Sequence, residues 1–362
     1  MSCKILLSLL VCIFIPVFAV TANDSIQSIL FIRGAERSGG FLEADNDSER
    51  TEQLADIFNA STSGGNHGWN ELRLTLLGAG FEVTQMIEPL EAGAPSSGQT
   101  QGSAIEFENI DLTEFDVLVF ASNNAVYPPS SVDAIENYIR SGGAAIFISD
   151  ANFGSDWADS SNSDQHFLDR FGLIMHQDQG TYTITSDEFL VPGHPIFFEG
   201  VTAFDGEGVT PIEVGQLTAG VTVEILALAE GQTRLNEPPF GNNNQGPSRA
   251  SGPNDAVLLC ATADFGRVIG HFDRNTFFNL NGAGTNINRF SNMQYAINLF
   301  SHAARTVFQA GDVNGDGSTN LLDVDPFVSA LSSGTYLRPA DVNCDRVVNL
   351  LDVSLFVELL SN

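Results

Sequence analysis

The chain has 362 residues, enough for one large domain and a small one with a buried core. Its 45 acidic residues against 15 Lys and Arg give a formal net charge of −30 at pH 7. This charge excludes nucleic acids and anionic membrane surfaces as partners, because both would repel it. A hydrophobic fraction of 43% with 34 glycines is typical of a folded chain with many turns.

The first 22 residues have the features of a secretory signal peptide. Lys4 precedes an apolar run that Pro16 interrupts, and the pattern VTA predicts cleavage after Ala22. The alternative is an N-terminal membrane anchor, which the proline and the cleavage-like pattern disfavour. We therefore expect a mature protein that is secreted, extracellular or at the cell surface, and that has no membrane contact after cleavage.

Residues 23–305 are predicted to form an α/β domain. The segments IQSILFIRG, FEVTQMIE, FDVLVFASNN and AAIFISD have strand patterns, and GWNELRLTLLGAG and SSVDAIENYIRSGG have the apolar spacing of helices between them. This alternation predicts an open, mostly parallel sheet flanked by helices, with a ligand crevice beyond the carboxyl ends of the strands. Later segments predict a helix at SDQHFLDRFGL, two strands in AVLLCATADFGRVIGHF and a closing amphipathic helix.

Three further segments carry a family resemblance. ENYIRSGGAAIFISD, GHPIFFEGVTAF and FGRVIGHFD resemble the ThuA-like branch of the class I glutamine-amidotransferase-like fold, over about residues 26–304. In working amidotransferases a nucleophilic cysteine follows the strand equivalent to AAIFISD, where this chain has Ser149 and Asp150. The resemblance therefore implies the fold but not glutaminase activity. Without a G-x-S-x-G turn, Ser149 is interpreted as an ordinary serine at a strand end.

Five residues are weak candidates for catalysis, because they lie in loops or near predicted strand ends. They are His67, Asp150, His194, His271 and Asp273. The spacing of His271 and Asp273 predicts that they share one side of an extended segment, as a metal-binding or acid–base pair. The alternative for all five is a hydrogen-bonding or capping role. We expect His302, in a helical pattern, to be structural and Cys260 to be a buried apolar residue.

An acidic repeat follows a short linker at 306–311. From Asp312, oxygen-bearing side chains occupy positions 1, 3, 5, 9 and 12 of a loop with Gly317 at position 6, which is the ligand pattern of an EF-hand calcium loop. The series recurs from Asp341, and each loop leads into an apolar helix, so the alternative of solvated acidic turns is disfavoured. The predicted Ca²⁺ ligands, including the position-7 carbonyls, are Asp312, Asn314, Asp316, Ser318, Asn320, Asp323, Asp341, Asn343, Asp345, Val347, Asn349 and Asp352.

Residues 312–362 resemble the dockerin type I module, which has two loop–helix units and Asp at position 12. The resemblance implies a Ca²⁺-dependent docking module with a cohesin-like or cell-surface partner, of the kind carried by polysaccharide-degrading enzymes. Arg346 replaces glycine at position 6 of the second loop, which predicts a weaker second site. We expect four leucines and two phenylalanines to pack the two halves together and so be unavailable to a cohesin: Leu321, Leu322, Leu350, Leu351, Phe327 and Phe356.

Three functional hypotheses fit the sequence. The first is a secreted protein of polysaccharide or carbohydrate catabolism that has a carbohydrate ligand and hydrolyses glycosyl bonds. The second is a non-catalytic extracellular binding or scaffold protein with a degenerate amidotransferase-like domain. The third is a surface protein whose C-terminus is simply made rigid by Ca²⁺. Fold and compartment do not decide between them, and whether the α/β domain is an enzyme stays open.

Overall fold

The structure is a computed structural model that describes twelve stretches of the chain. They are residues 27–34, 55–60, 68–89, 102–121, 123, 125–148, 160–176, 180–233, 252–279, 285–305, 309–343 and 345–361. The predicted signal peptide at 1–22 lies outside them. No helix within these stretches has the length and apolar character needed to cross a membrane.

The described residues contain eleven strands and six α-helices. The strands are β1 Ser28–Arg33, β2 Glu82–Ile87, β3 Val117–Phe120, β4 Ala144–Ile148, β5 Leu173–Met175, β6 Thr181–Thr185, β7 Ala203–Glu207, β8 Ile212–Val214, β9 Val221–Leu228, β10 Ala256–Ala263 and β11 Gly266–His271. The helices are α1 Asn70–Gly78, α2 Pro129–Arg140, α3 Ser160–Leu168, α4 Asn292–Ala304, α5 Val324–Ser333 and α6 Asp352–Leu359.

Nine of these strands form one mixed sheet, in the order β2-β1-β3-β4-β11-β10-β8-β5, with β9 also paired to β10. The five strands from β2 to β11 are parallel, and the pairs involving β10 and β8 are antiparallel. The other two strands, β6 and β7, pair with each other. The α/β class with a helix-flanked sheet is confirmed, although the parallel pairing is limited to one half of the sheet.

The core has two layers, one on each face of this sheet. Phe31 points into one layer with residues of α1 and α4, and its neighbour Ile32 points into the other with residues of α2 and α3. Both side chains are fully buried, as expected for parallel strands covered by helices on both faces. The carboxyl ends of β1 to β4 therefore form a common edge at which polar side chains can gather.

The C-terminal residues form a small module with its own apolar core. Phe327 of α5 and Phe356 of α6 are buried, and their rings stack with centroids 4.0 Å apart. The described part of the predicted linker already belongs to this module, since the Gly311 N–H donates to the Pro339 carbonyl at 2.8 Å. The predicted pairing of the two phenylalanines is confirmed.

Ionic and polar contacts attach the module to the α/β domain. Arg338 forms an ion pair with Asp116, just before β3, and donates to the Gly142 carbonyl at 3.3 Å. Arg346 donates to the Glu114 carbonyl at 2.6 Å. The second acidic loop thus lies directly against the α/β domain.

Candidate functional site

The first acidic loop is held by hydrogen bonds to its terminal carboxylates. Asp312 accepts the N–H groups of Asp316 at 3.1 Å and Gly317 at 2.9 Å. Asp323 is fully buried and accepts the N–H groups of Asn314 at 2.9 Å and Asn320 at 2.8 Å. Gly317 has φ +87°, a value that favours glycine at the predicted sharp turn. Positions 1 and 12 therefore organise the loop backbone.

The second loop repeats these bonds residue for residue. Asp341 accepts the N–H groups of Asp345 at 3.1 Å and Arg346 at 2.8 Å. Asp352, also fully buried, accepts those of Asn343 at 3.1 Å and Asn349 at 2.8 Å. Arg346 has φ +68°, so the second loop makes the glycine-type turn with a non-glycine residue. Both loops present carboxylate and amide oxygens, the ligand types that Ca²⁺ prefers.

The four leucines at loop positions 10 and 11 lie on the surface. Their exposed fractions are 78% for Leu321, 68% for Leu322, 78% for Leu350 and 67% for Leu351. The expectation that they pack the two halves together is therefore wrong. They lie in short turns before α5 and α6, whereas the buried contact is made further along the helices by the phenylalanines. Two equivalent apolar pairs consequently face solvent beside the two loops.

At the carboxyl edge of the sheet, the structure buries polar residues that the candidate set does not include. Arg33, Glu88, Asn123 and Asp164 are each at most 4% exposed. Glu88 follows β2 and accepts the Tyr127 hydroxyl at 2.6 Å. Burial is the largest cause, and the Glu88 charge the next, of a Tyr127 pKa well above its usual range. Two carboxyl groups, those of Glu88 and Asp164, and the Tyr127 phenol therefore lie near one another where open α/β sheets bind ligands.

His271 and Asp273 have separate structural partners. The His271 ring is fully buried and makes hydrogen bonds with the hydroxyls of Thr276 at 3.1 Å and Tyr295 at 2.9 Å. Burial lowers its pKa to about 3. Asp273 accepts the N–H groups of Glu207 at 2.6 Å and Asn275 at 2.9 Å. The contacts correspond to the hydrogen-bonding and capping alternative rather than to an acid–base pair.

His194 is not brought to His271. Its side chain caps a short 3-10 helix. The centroids of the His194 and His302 rings are 4.4 Å apart, beside a cavity that Arg267 also lines. Arg267 is near the start of β11 and His271 is its last residue, a separation of about 13 Å along a strand. His67 and Asp150, the other two catalytic candidates, lie outside the described residues.

A second polar group lies at the antiparallel end of the same edge. His176, Glu213 and Asp255 offer one ligand atom each within 4.8 Å of one another. The His176 Nε2 atom is 2.9 Å from a Glu213 carboxylate oxygen. His176 directly follows β5, Glu213 lies within β8 and Asp255 directly precedes β10. The candidate set did not include them, although the polar residue directly after the apolar strand segment LIM was a usable signal.

Comparison with known proteins gives fold-level likenesses only. No family model matches the sequence, and no curated protein matches it. Among solved structures, a putative ThuA-like protein from Parabacteroides merdae ATCC 43184 is 10% identical and covers 79% of this chain and 93% of its own, with a TM-score of 0.43. A putative ThuA-like protein from Bacteroides uniformis ATCC 8492 is 11% identical, with coverages of 76% and 89% and a TM-score of 0.39. The mmIFT52 N-terminal domain is 11% identical, with coverages of 78% and 99% and a TM-score of 0.46. At these scores none of them defines the family or the function of this chain.

Proposed function

We propose that this chain is a secreted calcium-binding protein whose residues 312–362 dock it to a cohesin-like or cell-surface partner. Its place would be extracellular polysaccharide or carbohydrate catabolism, as the dockerin type I resemblance implies. The observation that carries the docking proposal is the exposure of two equivalent leucine pairs beside two equivalently bonded acidic loops.

Exposed apolar pairs of this kind suit a protein partner. Burying one leucine side chain in an interface stabilises it by about 1.5–3 kcal/mol relative to leaving it in water. Each pair directly follows a predicted calcium ligand, Asn320 or Asn349, whose side-chain oxygen accepts the N–H of the second leucine at 2.9 or 2.7 Å. An ion that orders the loop would therefore order the leucines as well, which makes docking calcium-dependent.

A binding experiment tests this docking. The full chain without its signal peptide is measured by biolayer interferometry against an immobilised type I cohesin domain and against intact cell-wall fragments, in Ca²⁺ and in EGTA. We expect binding in Ca²⁺ only, and its loss in the double variant Leu321→Asp/Leu350→Asp. Leu190→Asp is the matched control, since Leu190 is 53% exposed but lies in the α/β domain. Binding that ignores calcium, or that survives the double substitution, contradicts the proposal.

For the α/β domain we propose a carbohydrate ligand at the carboxyl edge of the sheet. The proposed reaction is hydrolysis of glycosyl bonds, not the glutaminase reaction. The support is that two buried carboxyl residues, Glu88 and Asp164, both lie near Tyr127, because such hydrolysis uses two carboxyl groups. The polar contacts of Tyr127 and the Ala125 N–H hold Glu88 in place, at 2.6 and 3.2 Å.

An activity screen tests this second part. The chain is assayed against a panel of polysaccharides and aryl glycosides, together with Glu88→Gln and the control Glu199→Gln, which changes an exposed glutamate. We expect turnover that Glu88→Gln lowers by at least a hundredfold and that Glu199→Gln leaves unchanged. A folded protein that shows neither turnover nor carbohydrate binding contradicts this part of the proposal.

A further inference from the structure

Strands β9, β10 and β11 form a polar floor at the opposite end of the sheet from the carboxyl-edge cluster. Cys260 in the middle of β10 is paired with Glu224 of β9. Arg267 of β11 pairs with Thr262, two residues further along β10, so its side chain lies on the same face as Cys260. His194, in the segment between β6 and β7, and His302, near the end of α4, cover this floor. A cavity of about 320 Å³ is bordered by all of these residues.

The covering histidines and the cysteine bring three metal-binding atoms together. One ring nitrogen of His194, one of His302 and the Cys260 sulfur all lie within 4.8 Å of one another. Zinc binds histidine nitrogen at about 2.0 Å and cysteine sulfur at about 2.3 Å in tetrahedral sites, so its ligand atoms lie roughly 3.3–3.8 Å apart. We propose that His194, Cys260 and His302 bind a zinc ion, with an open fourth position facing the cavity.

The bonding of the two histidines gives independent support. His302 is 9% exposed, and its Nδ1 atom is buried without a hydrogen-bond partner among the described residues. A buried ring nitrogen in that state is rare in folded proteins, and a bound metal would satisfy it. His194 Nδ1 accepts only a long bond of 3.3 Å from the Ile196 N–H, a weak contact that His194 can give up on becoming a ligand.

Two charged side chains, Arg267 and Glu224, border the cluster. A zinc ion bound to Cys260 would take the place of the thiol proton, so binding would release that proton. The Arg267 guanidinium is held by the main-chain carbonyls of His302 and Arg305, and a Glu224 carboxylate oxygen lies 3.9 Å from His194 Nε2. At 3.9 Å Glu224 is too far to hydrogen-bond His194, but its negative charge borders the cluster and would attract a cation bound there.

The open position defines the ligand class of the site. Three protein ligands with a free fourth position are typical of zinc sites that hold water or a substrate group. The cavity side of this position is lined by the hydroxyl residues Thr222 and Thr262 together with Arg267. Water or a small anion fits that lining. This site is separate from the acidic loops and from the carboxyl-edge cluster, so it does not depend on the proposed function.

Cobalt substitution tests the site in the full chain. Protein is stripped with chelator, dialysed and titrated with Co²⁺, and spectra are recorded for a thiolate-to-cobalt charge-transfer band in the near ultraviolet and tetrahedral bands in the visible. We expect saturation at one Co²⁺ per chain and loss of both features when Zn²⁺ is added in equal amount. Elemental analysis of untreated protein should also show zinc.

Variants identify the ligands. Cys260→Ser should abolish the charge-transfer band, and His302→Gln should weaken Co²⁺ binding at least tenfold, with circular dichroism showing that both variants are folded. His166→Gln, a histidine of α3 outside the cluster, and Asp323→Asn, in the first acidic loop, should keep the band. A folded wild-type chain with no saturable band, or a band that persists in Cys260→Ser, overturns the proposal.

Discussion

Replacing Asp323 by asparagine should destabilise the C-terminal module even when no calcium is present. The Asp323 side chain is fully buried, and its two carboxylate oxygens accept the N–H groups of Asn314 at 2.9 Å and Asn320 at 2.8 Å. Asparagine has nearly the same size but only one acceptor oxygen. One of the two N–H groups would therefore face an NH₂ group and lose its partner.

The size of the effect follows from these two bonds. A hydrogen bond to a charged group contributes about 1.5–3 kcal/mol, and a buried donor left unpaired costs about 1–3 kcal/mol. Since the two contributions overlap, we expect the free energy of unfolding of the module to fall by about 2–4 kcal/mol. For a unit this small, that change lowers the melting temperature by roughly 10 °C or more.

Differential scanning calorimetry of the full chain in EGTA measures this change. The matched control is Asp325→Asn, two residues along α5, where the aspartate is exposed. Asp352→Asn should reproduce the Asp323→Asn result, because Asp352 makes the equivalent bonds at 3.1 and 2.8 Å. If Asp323→Asn melts at the same temperature as Asp325→Asn, the buried carboxylate does not organise the loop.

Three further predictions concern other parts of the chain. Arg346→Gly should tighten calcium binding at the second loop, because it removes a positive charge beside the ion and about 1 kcal/mol of strain at φ +68° while keeping the N–H bond to Asp341. Calorimetric titration in the Asp323→Asn background measures the affinity of the second loop, and an unchanged affinity would contradict this prediction. Arg338→Met should loosen the attachment of the module to the α/β domain by removing the ion pair with Asp116, while the Arg346 contact stays. Small-angle scattering would record a larger radius of gyration, and an unchanged radius would contradict this. The pKa of His271 is about 3 when folded and about 6.5 when unfolded, so its contribution to stability is complete above pH 6.5 and falls with pH, by about 2 kcal/mol at pH 5. Urea unfolding of His271→Gln should therefore show a shallower loss of stability between pH 7 and 5 than wild type, and parallel curves would count against this.

The sheet and its helices could be predicted because their signals are local. The apolar runs of β1 and β2 and the helical spacing of apolar residues in α2 predict these two strands and this helix without reference to the rest of the chain. Val132, Ile135 and Ile139 of α2 are buried as predicted. The antiparallel half of the sheet depends on which strands meet, a long-range choice that the local pattern does not carry.

The site residues could be predicted less well, for two physical reasons. Apolar character alone does not say whether a residue is covered, so Leu321 and Leu350 were expected inside and lie on the surface, whereas Phe327 is buried. The rule that loop residues converge at the carboxyl edge holds for residues that follow parallel strands. His194 lies between the antiparallel strands β6 and β7, outside that rule.

Some signals were available in the sequence and were not used. Arg33 and Glu88 are charged residues at the ends of the apolar segments IQSILFIRG and FEVTQMIE. A strand end does not require a charged residue, so the two charges were a signal. Both prove to be buried at the carboxyl edge. The meeting of Cys260 with His194 and His302, by contrast, requires the tertiary fold, because the three residues are far apart in the sequence.

Calorimetric titration of the full chain with Ca²⁺ shows whether the two acidic loops bind calcium. We expect two binding events per wild-type chain, one in Asp312→Ala, one in Asp341→Ala and none in the double variant, because each substitution removes the position-1 carboxylate of one loop. No calcium uptake at millimolar concentration, or two sites that persist in the double variant, would contradict this expectation.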